Sequence, residues 1–84
     1  MQIAERRFEF TRGFDVVRNG MFLQVDEVTS TGAGQIALEA FWRESDGQIT
    51  VRMFGSELPF DLVELFVAQV RPALTPVDQS NQSP

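Results

Sequence analysis

Apolar residues recur at every second position in the first part of the chain. In "RRFEFTRGFDVV", Phe8, Phe10, Phe14 and Val16 share one parity, with Arg7, Glu9, Thr11 and Asp15 between them. That is the period of a half-buried strand. Gly13 interrupts it and marks a bulge or a bend. The segment reads as one long bent strand. If Arg12 and Gly13 formed a tight turn instead, it would become two strands and the facing of Phe8 and Phe10 would reverse.

Asn19-Gly20 is a strong hairpin signal, because a type I′ turn needs positive φ at both central positions. Pairing about it sets Val17 against Phe22 and Val16 against Leu23. One face then carries Phe14, Val16, Met21, Leu23 and Val25, and the other carries Val17 and Phe22. A loop, "TSTGAG", follows from Thr29 to Gly34. In "QIALEAFWR", Ile36, Leu38, Ala40 and Trp42 alternate with Glu39, Phe41 and Arg43. Asp46-Gly47 predicts a second turn of the same type. Beyond it Ile49, Val51 and Met53 alternate with Thr50, Arg52 and Phe54. A two-residue and a four-residue loop both keep Trp42 on the face of Val51. A one-residue slip would not. The four-residue register sets Glu39 opposite Arg52.

The period then changes. Leu62, Val63, Phe66, Val67, Val70 and Leu74 form the apolar stripe of a helix that begins near Leu58-Pro59, with Asp61 and Glu64 near its N-terminus. Ser56 is a candidate cap. Pro72 is expected to end the helix at Arg71 or just before. The order predicts an α+β domain: a four-stranded antiparallel meander, five-stranded if the first segment divides, with one C-terminal helix packed on one face. Residues 1–74 make a single domain. Residues 75–84, "TPVDQSNQSP", have Val77 as their one large apolar side chain and are expected to be a disordered polar tail.

Composition narrows the chemistry. The chain has 84 residues and no cysteine, histidine or tyrosine, and every basic residue is arginine. Disulfides and thiolate metal sites are excluded, and so are the commonest metal ligand and the usual general base near neutral pH. No Ser-His or Cys-His nucleophile pair can be assembled, and no lysine nucleophile is present. Paired carboxylates remain, from Asp26, Glu27, Glu39, Glu44 and Asp46. Asp26 and Glu27 face opposite ways on a strand, while Glu44 and Asp46 flank a turn. A domain this small leaves little room for a water-excluding cleft. "RESDGQ" lacks the alternating ligands and closing glutamate of a calcium loop. "STGAGQ" lacks the lysine and the following helix of a phosphate loop. The chain is therefore expected to be non-enzymatic and to need no cofactor.

Net charge is −5. Residues 1–18 carry four arginines and three acids, the remainder three arginines and nine acids. Arg6 and Arg7 beside Phe8 and Phe10 have the composition of a single-strand nucleic-acid patch. The acidic remainder would repel a phosphate backbone, so no nucleic-acid partner is expected. It would attract a basic protein such as a nuclease. No apolar run reaches the roughly 18 residues of a membrane span, and "MQIAERRFEF" lacks the apolar centre of a signal peptide. A cytoplasmic setting is the expectation.

The face opposite Trp42 carries the main functional signal. A sheet covered by one helix should be polar on its other side. Here that side is assigned Val17, Phe22, Phe41 and Phe54 with Arg43 and Arg52, and arginine with aromatics is the make-up of binding hot spots. These six are the interface candidates. The alternatives are that the helix covers this face, or that the N-terminal strand or the tail does. On the interface reading Phe41→Glu would disrupt association and leave the fold intact.

Residues 34–74, "GQIALEAFWRESDGQITVRMFGSELPFDLVELFVAQVRPAL", resemble small bacterial immunity proteins of polymorphic toxin systems. The likeness lies in the acidic charge, a hairpin with a Trp on its first strand, and a Leu-Pro helix near the end. It implies a domain that binds and blocks a toxin without catalysis, and it carries no toxin-contacting residue onto particular positions. The alternative expectation is a small homodimeric domain of structural or regulatory role, in which the same patch joins two copies.

Overall fold

The computed structural model describes residues 1–32, 34–54 and 57–74. Five strands form one antiparallel sheet in sequential order: β1 (Gln2–Ile3), β2 (Arg6–Asp15), β3 (Gly20–Val28), β4 (Gly34–Arg43) and β5 (Ile49–Met53). One helix, α1 (Phe60–Leu74), follows and packs over β3 and β4. The α+β meander with a single C-terminal helix is as the periodicity predicts. The fifth strand is β1, a two-residue piece; Arg6–Asp15 stays one strand through Gly13. Ser56 and the expected polar tail, 75–84, lie outside the described residues.

Both hairpins close through four residues, the first where Asn19-Gly20 predicts two and the second in the longer of the two registers that its parity allows. Asp15 pairs with Gly20, and only Asn19 of the Asn-Gly pair has positive φ, at 56°. Asp15 replaces the tight turn's own bonding: its Oδ1 accepts from the N–H groups of Val17 and Arg18 at 3.0 and 3.1 Å. In the second hairpin Arg43 N–H donates to Gln48 C=O, and Gly47 N–H, at φ 71°, donates to Arg43 C=O. Glu39 then pairs with Arg52, which is the four-residue register. Lengthening a loop from two residues to four keeps side-chain parity, so the faces survive. What changes is the partner list: Phe22 pairs with Gly13, and Val16 and Val17 leave the sheet for the loop.

The core lies where α1 crosses the sheet. Phe8, Leu23, Val25, Leu38 and Ala40 meet Leu62, Phe66, Val70 and Leu74. The helix thus covers the Trp42 face, as the alternation predicts. Its buried stripe is narrower than the sequence stripe: the four buried residues repeat at every fourth position, and Val67 faces out. Two expectations are corrected. The helix runs through Pro72 to Leu74. Pro72 has no N–H to bond back to Ala68 and its ring crowds that carbonyl, and the buried Leu74 holds the turn on the core all the same. Ile36 leaves the core face, because the register of β4 against β3 shifts between Val25 and Asp26 and sets Ile36 against Asp26. One extra residue in a bulge turns the preceding side chain away.

Candidate protein-interaction surface

The face away from the helix is crossed by a row of directly paired residues: Gly13, Phe22, Phe41 and Thr50. The Phe22 ring leans over Gly13, where a Cβ would lie 3.0 Å from its tip. The Phe41 ring leans over Gly20 in the same way, and a Cβ there would collide with the ring and with the Trp42 carbonyl. The two strand glycines are slots that seat the two aromatics. Both rings end half-buried.

Arg18 then closes over Phe41. Its guanidinium carbon stands 4.2 Å from the ring centroid. Nη1 and Nη2 donate to the two carboxylate oxygens of Glu39 at 3.2 and 2.9 Å, and Nε donates to Asp15 Oδ2 at 2.8 Å. Glu39 is only 8% exposed, and this fork is what makes its burial tolerable. The same contacts hold the Arg18 guanidinium protonated more firmly than usual, Glu39 first and Asp15 second, against the cost of burial. Hydrogen bonds from Arg18 hold the Asp15 carboxyl below the ordinary carboxylate range. Arg43 makes the mirror clamp in the second hairpin, with Asp46 at 2.7 Å, and lowers that carboxyl likewise.

The six sequence candidates therefore separate. Phe22, Phe41, Arg43 and Arg52 do share the second face, and Phe41, Arg43 and Arg52 line a hollow of about 180 Å³ there with Arg18, Glu39 and Thr50. Val17 does not join them. It sits in the first hairpin loop, 94% exposed, because the four-residue closure removes it from the ladder. Phe54 lies one residue past β5, its N–H donating to Ala37 C=O at 2.9 Å and its ring exposed. Sequence reasoning placed Glu39 on this face opposite Arg52 without counting it among the interface candidates, and it missed Arg18. The signal for Glu39 was the four-residue register, and none pointed to Arg18.

Bare apolar surface also lies on the helix side. A nine- or ten-residue strand spans about 30 Å, and a fifteen-residue helix about 22 Å, so one helix cannot roof the sheet. At the margin of that roof runs the cross-strand row Phe14, Met21, Trp42 and Ile49. Phe14 is 50% exposed, and the other three are half-buried at the margin of the core. Beside them Val51 and Met53 of β5 are 53% and 60% exposed. Between α1 and β2 the helix also leaves a cleft of about 400 Å³, floored by Phe10 and Leu23.

Among the described residues no cluster of His, Cys, Asp or Glu is placed to hold a metal ion. No helix among them is long and apolar enough to cross a membrane. The fold and surface define a two-layer α+β domain with an apolar shoulder outside its own roof. The chain matches no family model, no curated protein and no solved structure.

Proposed function

We propose that this is a non-catalytic protein-binding domain and that it docks through the apolar shoulder left bare by α1. The observation that carries this reading is the row of Phe14, Met21, Trp42 and Ile49 at the margin of the roof, continuous with Val51 and Met53. Contiguous apolar surface, exposed at Phe14, Val51 and Met53 and half-buried at Met21, Trp42 and Ile49, is of the kind that marks interaction sites. The second face supports the reading by elimination, since its two central rings already have intramolecular partners in Gly13, Gly20 and Arg18. The net charge of −5 favours a basic partner, and the likeness to immunity proteins gives that one concrete form, a toxin bound and blocked in the cytoplasm.

Site-specific photo-crosslinking tests it. A photoreactive phenylalanine analogue at Phe14, in the native host, is expected to give a discrete protein adduct. The same analogue at Glu64, exposed on the outer side of α1, is expected to give none. No adduct at Phe14, or equal adducts at both positions, would overturn the proposal.

A further inference from the structure

The two edges of the sheet are built differently. On one side β1 covers the start of β2, with Met1 and Phe8 exchanging N–H···O bonds of 2.7 and 3.0 Å. The rest of that edge carries Glu9, Arg12 and Asp15, charges that oppose pairing with a further strand. On the other side β5 reads Ile49, Thr50, Val51, Arg52 and Met53, and α1 packs chiefly over β3 and β4 instead. It has no proline, glycine or acid, and every residue but Ile49 is exposed.

The hydrogen-bonding phase of β5 is fixed by β4. Gln48 C=O accepts from Arg43 N–H and Phe54 N–H donates to Ala37 C=O, each at 2.9 Å. Inward and outward groups alternate along an antiparallel ladder. The N–H and C=O groups of Ile49, Val51 and Met53 therefore point to the open edge.

We propose that β5 pairs with β5 of a second copy of this chain, antiparallel about a two-fold axis at Val51. This names an occupant for the β5 end of the bare shoulder, leaves Phe14 and Met21 to the partner proposed above, and rests on that reading. In this register Val51 meets its own symmetry mate, Ile49 meets Met53 of the partner subunit, and Thr50 meets Arg52 of the partner subunit. Apolar opposes apolar, and no charge opposes its like. Centring the pair on Arg52 would set two guanidinium groups directly opposite. Centring it on Thr50 would set Met53 against Gly47, and a one-residue slip would oppose the two faces. The strand is its own complement in one register, which is why the occupant is a second copy rather than an unrelated strand. The axis is perpendicular to the sheet, so both helices lie on one side. Ile49, Val51 and Met53 of the two copies then floor the trough between them.

Charge reversal at the axis reads out this register. Val51→Lys and Val51→Glu each set like charges face to face, at a site exposed in the monomer. The wild-type chain is expected to sediment at twice the monomer mass in a dilution series from about 100 µM to about 1 µM. Each variant is expected to be folded by circular dichroism and to associate at least about tenfold more weakly. Mixing the two variants in equal amounts is expected to restore the dimer. The chain has no cysteine, so a single one is an unambiguous probe. Val51→Cys is expected to oxidise to a disulfide-linked dimer and Thr11→Cys, at the blunted edge, to stay monomeric; this arm decides the matter if the charged variants fail to fold. A monomeric wild type, a Val51→Lys that associates as tightly as the wild type, a mixture that associates no more tightly than either variant alone, or equal cross-linking at Thr11 and Val51 would overturn the inference. If the wild type is monomeric while Phe14 still gives an adduct with another protein, only the self-pairing falls. If Phe14 gives no adduct either, the protein-binding reading falls with it.

Discussion

Arg18 and Phe41 form a stacked pair, guanidinium over ring at 4.2 Å, and the same guanidinium holds the buried Glu39 with both of its terminal nitrogens. An arginine in a hairpin loop thus folds back over the sheet face that an isolated exposed aromatic would otherwise occupy.

Removing Arg18 should cost more than a surface ion pair. Arg18→Ala strips the stack and leaves the Glu39 carboxylate without its fork, an expected loss of about 1–3 kcal/mol in urea unfolding. Glu39→Gln keeps the shape and removes the charge. In the double-mutant cycle the two changes should couple by at least about 0.5 kcal/mol. Additive losses would mean that the fork contributes nothing in solution.

Phe41→Glu should destabilise the fold itself. The ring sits half-buried between the Gly20 slot and Arg18, so a carboxylate there would lose both contacts and crowd Glu39. A lowered thermal midpoint is expected, against the intact fold that an exposed Phe41 would give. Val17→Ser, by contrast, changes a side chain that touches open solvent and should stay within about 0.5 kcal/mol of wild type.

The two strand glycines should respond unequally to alanine. At Gly20 the new methyl meets backbone, the Trp42 carbonyl, as well as the Phe41 ring, and neither can yield easily. At Gly13 it meets only the tip of the Phe22 ring at 3.0 Å, which can swing. Gly20→Ala is expected to cost about 3 kcal/mol and Gly13→Ala less than about 1.5 kcal/mol. Equal losses in denaturant melts would contradict the slot geometry.

Stability should be flat from about pH 6 to about pH 9 and fall only in acid. With no histidine, cysteine, lysine or tyrosine, no side-chain type present has an ordinary pKa in that range. Below it, arginine contacts depress three carboxyls: Asp15 through Arg18, Glu27 through Arg6, and Asp46 through Arg43. A carboxyl depressed on folding binds fewer protons in the folded state, so its contribution is present above its unfolded pKa and lost as pH falls through its folded one. The loss should therefore begin near pH 4 and continue below it. Thermal midpoints across pH 2–9 check this, and Asp15→Asn should shallow the acid limb.

The sequence by itself determined the strand count to within one, the helix, and the face on which the strand residues lie, Ile36 excepted. The reason is that parity and the 3.6-residue period are local properties of the chain, and an even change in loop length leaves parity untouched. Trp42 went to the helix side and Phe41 to the other for that reason alone. What parity cannot encode is which residues sit opposite one another and how far the helix reaches. Those were decided by Asp15, which closes a four-residue loop and so removes Val16 and Val17 from the sheet. They were decided also by the bulge that turned Ile36 out, and by the mismatch between a short helix and longer strands. Arg18 illustrates the limit most clearly. Its partners Phe41 and Glu39 lie more than twenty residues away in sequence, and only the pairing of β3 with β4 brings them beneath it.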